Sequence, residues 1–414
     1  MKVRYYDFAE GTIPDDRIKS ILEPKHITGS EFPEFDSQLR KLLQEKLVNK
    51  LRGVRKLLLL VDDITRQTPA SWILPAVIDI ANNCGIDDSS ITILVATGTH
   101  RNMTLSEQIK KYGESVVKRI RIVSHNYKTD VVDLGVTPDG TKIVVNKLVL
   151  EHDFIIGIGM VVPHRVAGFS GGGKIVQPGI SGEETTGQTH WLSAQFEGCE
   201  ILGKVKNPVR KEIEAVADAA GLRFIINVIP DRNGKPIKVF AGDPSPTFEE
   251  AAEFAKKVYG APAKRSKIVI SDSYPADIEM WQASKGIYSS DLVLEKEGVL
   301  ILVSPCKEGV SAEFGDLMMQ YGYRGYQDVK FFVETGELKN LIVAAHLVHV
   351  GRVIKDKASA AILVSPGIKK EIAKKLGFVP AANLDEALHI AEAIVGPQDI
   401  TICKYGGELL PVIN

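Results

Sequence analysis

Short apolar runs rich in β-branched residues alternate with stretches of helical periodicity along the chain. In the first half these runs predict strands at 56–63, 90–100, 119–125, 142–146 and 153–162. The segment 68–85 predicts a helix after the first strand, with Thr68 as N-cap, Pro69 at the first helical position and Gly85 beyond the last turn. Continuous apolar strands separated by helices favour a parallel sheet that is covered on both faces.

A second series of strands and helices begins near residue 266. Its apolar segments cover 298–306, 341–350, 360–378 and 387–396. The stretch YGAPAKRS (259–266) is rich in small and basic residues and is the best linker candidate. The pattern predicts an α/β fold with two domains, 1–265 and 266–414, with largely parallel sheets and an active-site cleft between them. The last strand of the chain is also compatible with a return to the first domain.

The composition narrows the classes of partner. The 414 residues include 51 basic and 52 acidic side chains, with a formal net charge of −1. This balance favours neither nucleic acid nor a membrane surface as a partner, and no apolar run approaches the roughly 18 to 20 residues that span a bilayer. Four scattered cysteines without a C-x-x-C pair, and an N-terminus without the apolar region of a signal peptide, lead us to expect a cytoplasmic protein.

Polar side chains follow several predicted strands at the point where each strand ends. Asp63 and Arg66 follow the first strand, His100 follows the second, and His164 with Arg165 follows the strand at 153–162. Ligands of open α/β sheets bind outside the carboxyl ends of the strands. We therefore expect these side chains to meet in one cleft.

The run HRVAGFSGGGKIVQPG (164–179) resembles the phosphate-binding loop G-x-x-x-x-G-K-[ST]. Ile175 replaces the hydroxyl residue that binds magnesium, and Pro178 prevents a helix from following the loop. The consecutive glycines are entropically costly to order, so they indicate close approach of the backbone to a ligand, with N–H groups available to an anion. The run comprises Gly171, Gly172 and Gly173, and it presents Lys174.

His100, His164 and His190 are the histidines best placed for chemistry. Imidazole suits proton transfer near neutral pH and is the commonest metal ligand. His346 and His349, three residues apart in an apolar segment, are interpreted as packing residues. On these residues alone, a nucleotide- or phosphate-binding protein with a degenerate loop and a zinc-dependent hydrolase remain alternatives, although no H-E-x-x-H spacing supports zinc.

Several motifs in order along the chain resemble the lactate racemase family, whose members use a nickel-pincer nucleotide. These motifs are DDITRQTP (62–69), ATGTHR (96–101), PHRVAGFSGGGKIVQPGISG (163–182), THW (189–191) and WQASK (281–285). The resemblance implies an isomerase, a racemase or epimerase, that inverts C2 of a 2-hydroxy acid. Hydride transfer through a 2-keto acid would avoid removing a barely acidic C–H as a proton.

The same resemblance implies roles for individual side chains. Lys174 would carry the cofactor, a pyridinium-3,5-bisthiocarboxylic acid mononucleotide with nickel, through a thioamide, and His190 would ligate the nickel. His100 and His164 would be the acid/base pair, and Asp63 would support the cofactor or Arg66. The substrate carboxylate would be held by Arg66, Gln282 and Lys285. The first domain would thus bind the cofactor, which dedicated enzymes must synthesise, and the second would contribute substrate-binding residues.

The chain departs from the family pattern near the expected substrate. Arg165 and Val166 follow His164 where lactate enzymes favour bulky aromatic residues, and no tryptophan lies around residues 346–352. We interpret Arg165 as a substrate-binding residue, and we expect lactate or a larger, more polar acid such as malate or a sugar acid as substrate.

Overall fold

The computed structural model describes residues 1–413 of the chain. Its strands, numbered β1 to β20 in chain order, are Lys2–Tyr5, Ala9–Thr12, Ile18–Leu22, Leu57–Asp62, Ile91–Ala96, Arg121–Ser124, Val131–Val136, Lys142–Asn146, Phe154–Met160, Pro163–His164, Gly168–Phe169, Leu222–Pro230, Pro236–Gly242, Gly260–Ala263, Ser266–Asp272, Leu294–Val303, Ala360–Val364, Val379–Ala381, Ile400–Cys403 and Leu410–Ile413. Its α-helices, α1 to α14, are Phe32–Lys46, Ala70–Asn83, Leu105–Tyr112, Glu114–Arg119, Glu183–Ser193, Gly198–Ile201, Pro208–Ala219, Pro244–Tyr259, Met280–Asp291, Gly315–Tyr321, Tyr326–Glu334, Leu341–Gly351, Lys370–Leu376 and Leu384–Val395.

The first domain is built on a six-stranded sheet in the order β13-β12-β9-β4-β5-β6. All neighbours are parallel except the edge strand β13. The central strand β4 is buried along its whole length, as its uninterrupted apolar sequence predicts. The predicted strands at 56–63, 90–100, 119–125 and 153–162 are confirmed, whereas 142–146 forms a separate antiparallel hairpin with β7.

The second domain contains a six-stranded, all-parallel sheet in the order β18-β17-β16-β15-β19-β3. Its edge strand β3 comes from the N-terminus, and the β1–β2 hairpin packs on the same sheet through Val3 and Tyr5. Residues 1–22, which the sequence analysis groups with the first domain, thus pair and pack with the sheet of the second domain. These short segments carry no signal of their partner, because the pairing spans almost the whole chain.

The last strand lies between the two domains. β20 pairs in parallel with β14, the short strand that precedes β15, and Leu410 belongs to the apolar cluster of the first sheet. Helix α2 begins later than predicted because Pro69 is its N-cap, while the Thr68 hydroxyl donates to Asp62 instead. Gly85 adopts a positive φ of 87° just beyond the C-cap, as expected.

Two further expectations concern the whole chain. No helix among residues 1–413 is long and apolar enough to cross a membrane. The four cysteines are free thiols.

The apolar segment 341–350 forms a buried helix, α12.

Candidate active site

A cleft lies where the carboxyl ends of both sheets converge. The predicted residues that line it are Asp63, Arg66, His100, His164, Arg165, Gly171, Lys174, His190, Gln282 and Lys285. Parallel strands place all of their carboxyl ends at one edge, so residues that are distant in sequence meet there. Of the predicted residues, Gly172 and Gly173 lie outside this lining.

His100 lies beside a buried carboxylate. Its Nδ1 is 2.8 Å from Asp63 Oδ2, and Asp63 Oδ1 accepts from the Thr65 backbone N–H at 3.0 Å. Burial alone would raise the pKa of Asp63, but His100 and the hydrogen bonds around the carboxylate lower it overall. The ionised Asp63 keeps the proton of neutral His100 on Nδ1, so Nε2 presents a lone pair to the cleft. Asp63 thus contacts His100 directly, and the charge of Arg66 also lowers the pKa of the Asp63 carboxyl.

His164 lies in a different electrostatic environment. Its Nδ1 accepts the Val166 backbone N–H at 3.2 Å, which leaves the proton of the neutral ring on Nε2. Burial lowers the pKa of His164 well below its usual value, and the cations Lys174, Lys285 and Arg66 lower it further. His164 is therefore neutral at pH 7 and presents a donor.

Lys174 lies in a short 3₁₀ turn, Gly172–Ile175, and the next α-helix begins only at Glu183. A phosphate-binding loop would instead lead directly into a helix. Burial lowers the pKa of Lys174 well below its usual value, and the nearby charges of Arg66 and Arg210 add to the effect. The amine is thus shifted towards its neutral, nucleophilic form.

Two glycines of the run, Gly172 and Gly173, pack closely against neighbouring elements. The N–H of Gly172 donates to Asn227 Oδ1 at 3.0 Å, and the N–H of Gly173 donates to Glu214 Oε1 at 3.2 Å. A Cβ on Gly173 would lie 2.8 Å from Ala217 Cβ. The N–H groups of Gly172 and Gly173 are therefore already paired with α7 and β12, whereas Gly171 lines the cleft.

Arg210 of α7 fixes the conformation of this loop. Its guanidinium donates to the Ala167, Phe169 and Gly171 carbonyls, and it forms an ion pair with Glu214 at 3.1 Å. It was not among the predicted residues, because its role depends on the path of the loop.

His190 has the donor arrangement of a metal ligand. Its Nδ1–H donates to the Thr186 carbonyl at 2.8 Å, so the Nε2 lone pair is available. Burial and Lys174 lower the pKa of His190 to about 4, which keeps the ring neutral. Within the described part of the chain, no cluster of three or more His, Cys, Asp or Glu side chains is arranged to hold a metal.

Gln282 and Lys285 lie on one face of α9, within its first two turns. The Gln282 Nε2 amide is 3.1 Å from His100 Nε2, so the two domains meet directly across the cleft. Gln282, in the first turn of α9, lies at the positive end of the helix dipole, which favours an anion there. Burial, together with Arg66, lowers the pKa of Lys285.

Helix α12 lines the cleft with His346 and His349, which were interpreted as packing residues. His346 stacks on Trp281 with ring centroids 3.8 Å apart, and Tyr323 Oη is 3.2 Å from its Nε2. The packing interpretation is therefore incomplete, and the spacing of three residues was the usable signal. Trp281 also supplies an indole to the cleft, although none lies around residues 346–352.

Comparison with known proteins gives a consistent result over most of the chain. Residues 7–198 match the lactate racemase N-terminal domain, and residues 261–407 match the lactate racemase C-terminal domain. Lactate racemase from Lactiplantibacillus plantarum is 31% identical over 370 residues, covering 85% of this chain and 84% of that protein. Lactate racemase from Thermoanaerobacterium thermosaccharolyticum is 28% identical over 408 residues, covering 92% of each.

Two solved structures share the fold. The lactate racemase apoprotein from Thermoanaerobacterium thermosaccharolyticum superposes with a TM-score of 0.85 at 27% identity, covering 97% of each chain. A protein from Thermotoga maritima superposes with a TM-score of 0.77 at 24% identity, covering 95% of this chain and 100% of that one. The chain therefore belongs to the lactate racemase family, and it is an isomerase of the racemase class.

Proposed function

We propose that the chain racemises or epimerises a 2-hydroxy acid by proton-coupled hydride transfer, using a nickel-pincer nucleotide attached to Lys174. The observation that carries the proposal is the convergence in one cleft of His100, His164, Lys174 and His190. Such a reaction requires four functions: attachment of the cofactor, ligation of its nickel, acceptance of the hydroxyl proton and donation of a hydrogen bond to the oxygen. The Lys174 amine, the His190 lone pair, His100 and His164 match these functions in that order.

The residues present fit this cofactor. Lys174 provides an amine for covalent attachment, and its lowered pKa favours nucleophilic attack. His190 provides a single nitrogen ligand without companion ligands from the described protein residues, so a metal there needs other donors, which the cofactor carries. Beside His190, the buried Thr186 Oγ1 has no hydrogen-bond partner in residues 1–413, which leaves a polar contact for a bound group.

The substrate carboxylate would bind to Arg66, Gln282 and Lys285. Arg66 brings positive charge from the first domain and Lys285 a nitrogen donor from the second, and a bound carboxylate would favour the protonated form of Lys285. The N-terminal end of α9 adds its dipole. Arg66 and Lys285 each lower the pKa of His164, so a bound carboxylate would partly neutralise this field.

The two histidines would move the hydroxyl proton. His100 accepts it at Nε2, where the lone pair faces the cleft, and Asp63 stabilises the resulting imidazolium. The cofactor, when bound, supplies the reversible acceptor for the C2 hydride, which no side chain of this protein provides. His164 would hold the carbonyl oxygen of the 2-keto acid through Nε2–H. After the keto acid reorients, return of the hydride to the opposite face of C2 would invert the centre, and the His100 imidazolium would return the proton to the oxygen, so that both histidines recover their starting protonation states.

The substrate is lactate or a larger, more polar 2-hydroxy acid such as malate or a sugar acid. The relatives named above are lactate racemases. Arg165 lines the cleft and is only 4% exposed, which favours a substrate with an additional polar group.

Production of the chain together with cofactor-synthesising enzymes tests the proposal. Intact-mass and nickel analysis should show one adduct and one nickel per chain, and the Lys174→Ala variant should show neither and no racemase activity. A wild-type chain without adduct or nickel under these conditions would contradict the cofactor assignment.

Isotopic labelling tests the hydride step separately. A 2-deuterated 2-hydroxy acid converted in ordinary water should keep its deuterium in the inverted product, because a hydride equivalent does not exchange with solvent. Loss of the label to water would show proton abstraction at C2 instead.

A further inference from the structure

Two buried polar atoms at the cleft lack partners. Arg165 is 4% exposed and its Nη1 has no hydrogen-bond partner, and His349 is 3% exposed and its Nδ1 likewise has none, within residues 1–413. Leaving such a group unpaired typically costs a roughly tenfold or larger change in an equilibrium constant. Both residues line the cleft, so a ligand there can satisfy both atoms.

Ser193 determines which His349 nitrogen carries the proton. The Ser193 hydroxyl donates to the His190 carbonyl at 2.6 Å, so at 2.9 Å from His349 Nε2 it acts as an acceptor. His349 Nε2 therefore carries the ring proton, and Nδ1 presents a lone pair. Burial and the Arg165 charge lower the pKa of His349 well below its usual value, so the ring stays neutral. His349 offers an acceptor.

Arg165 offers the complementary donor. Its Nη2 donates to the Phe196 carbonyl at 2.7 Å, which fixes the guanidinium plane and leaves Nη1 unpaired. Burial lowers the pKa of Arg165 to about 10, so the side chain remains charged at neutral pH. The nearby carboxylate of Asp291 is already bound to Lys357 at 2.9 Å.

One donor and one acceptor match a hydroxyl group, which can accept from Arg165 and donate to His349. A carboxylate would meet the His349 lone pair, and a methyl group would leave both atoms unpaired. Tyr288 marks the position of this pair along α9, because its ring lies 6.1 Å from that of His349. Tyr288 follows Lys285 by three residues and so lies on the same face of α9, one helical turn further along the helix.

Building on the proposed function, we propose that Arg165 and His349 form a subsite for a hydroxyl group on the substrate chain beyond C2. The preferred substrate is then a 2-hydroxy acid that carries at least one further hydroxyl.

The test uses holoenzyme with Lys174 loading verified by intact mass. Straight-chain 2-hydroxy acids of four to six carbons are assayed with and without one further hydroxyl, alongside malate. We expect kcat/KM to be roughly tenfold or more higher for the best hydroxylated acid than for its matched deoxy acid. Equal values, or a preference for malate, would overturn the subsite while leaving the proposed function intact. No turnover of any 2-hydroxy acid by loaded protein would overturn both.

Variants assign the preference to the two residues. In Arg165→Met and His349→Phe, the ratio of hydroxylated to deoxy kcat/KM should fall towards one, and this ratio cancels losses in folding or loading. Arg352→Met is the matched control, because Arg352 also donates to the Phe196 carbonyl but lies outside the cleft lining. Its ratio should match wild type. If this ratio fell equally in Arg352→Met, the preference would depend on the conformation of the segment around Phe196 and not on direct contacts with the substrate. That result would overturn the subsite.

Discussion

On the His100 side of the cleft a carboxylate stands directly behind the imidazole, whereas on the His164 side the neighbouring charges are cations. Asp63 Oδ2 lies 2.8 Å from His100 Nδ1, and a backbone N–H occupies the corresponding nitrogen of His164. The same side chain therefore presents an acceptor on one side and a donor on the other. A reaction that moves a proton on and off a hydroxyl needs both.

The difference extends to the neighbouring groups. Burial and cations together lower the pKa values of His164, Lys174 and His190. Neutral forms are needed for a nucleophilic lysine and for a metal-ligating histidine. Burial among neighbouring cations thus prepares this side for cofactor attachment, while the carboxylate prepares the other side to accept protons.

Removing either imidazole is the strongest test of this contrast. In loaded enzyme, His100→Ala and His164→Ala should each lower kcat by roughly 10²- to 10⁴-fold, the contribution of a general acid or base. Both variants should keep the Lys174 adduct and nickel, because neither residue holds the cofactor. Full activity in either variant would rule out the two-histidine mechanism.

Removing the carboxylate alone should have a smaller effect. Asp63→Asn keeps the shape of the His100 side but loses the charge that stabilises the imidazolium, so kcat should fall on the order of 10²-fold. KM should change little, since the proposed role of Asp63 is to act on His100 rather than on substrate.

Two further variants check that this loss comes from the charge. Thr65→Val removes one hydrogen bond to Asp63 and should cost less than Asp63→Asn. Asp63→Glu restores a carboxylate and should recover part of kcat. Wild-type kcat in Asp63→Asn would show that the pairing is only structural.

The contrast between the two sides was only partly predictable from sequence. The polar residues that follow the apolar strands predicted the cleft, because the carboxyl ends of parallel strands lie at one edge of the sheet. The partner of Asp63 was not predictable, since it depends on β4 and β5 being neighbours and on the conformation of the loop after each strand. The amino-acid sequence alone does not specify which nitrogen of a histidine carries the proton.

The other differences between prediction and structure also arise from contacts between segments that are distant in the sequence. The glycines of 171–173 signalled a close approach correctly, but the sequence did not show that the approaching groups are Asn227 and Glu214. The apolar sequence of α12 concealed His346 and His349, because a helix buried on all sides has no polar face to mark the cleft. The pairing of β3 with the second sheet could not be predicted, since its partner β19 is almost four hundred residues away.

The stability of the folded chain should also depend on pH through His346, and this is the smallest of the expected effects. Burial and His190 lower the pKa of His346 to about 3, so the unfolded chain binds a proton at higher pH than the folded chain does. Stability therefore falls as pH drops below about 6.5, and at pH 5 this one group should cost about 2 kcal/mol relative to neutral pH. Denaturant unfolding of unloaded His346→Gln should show a pH 7 to pH 5 loss smaller by about that amount. His26 is exposed, so His26→Gln should retain the wild-type loss. An identical loss in His346→Gln and wild type would show that protonation of His346 does not limit stability in acid.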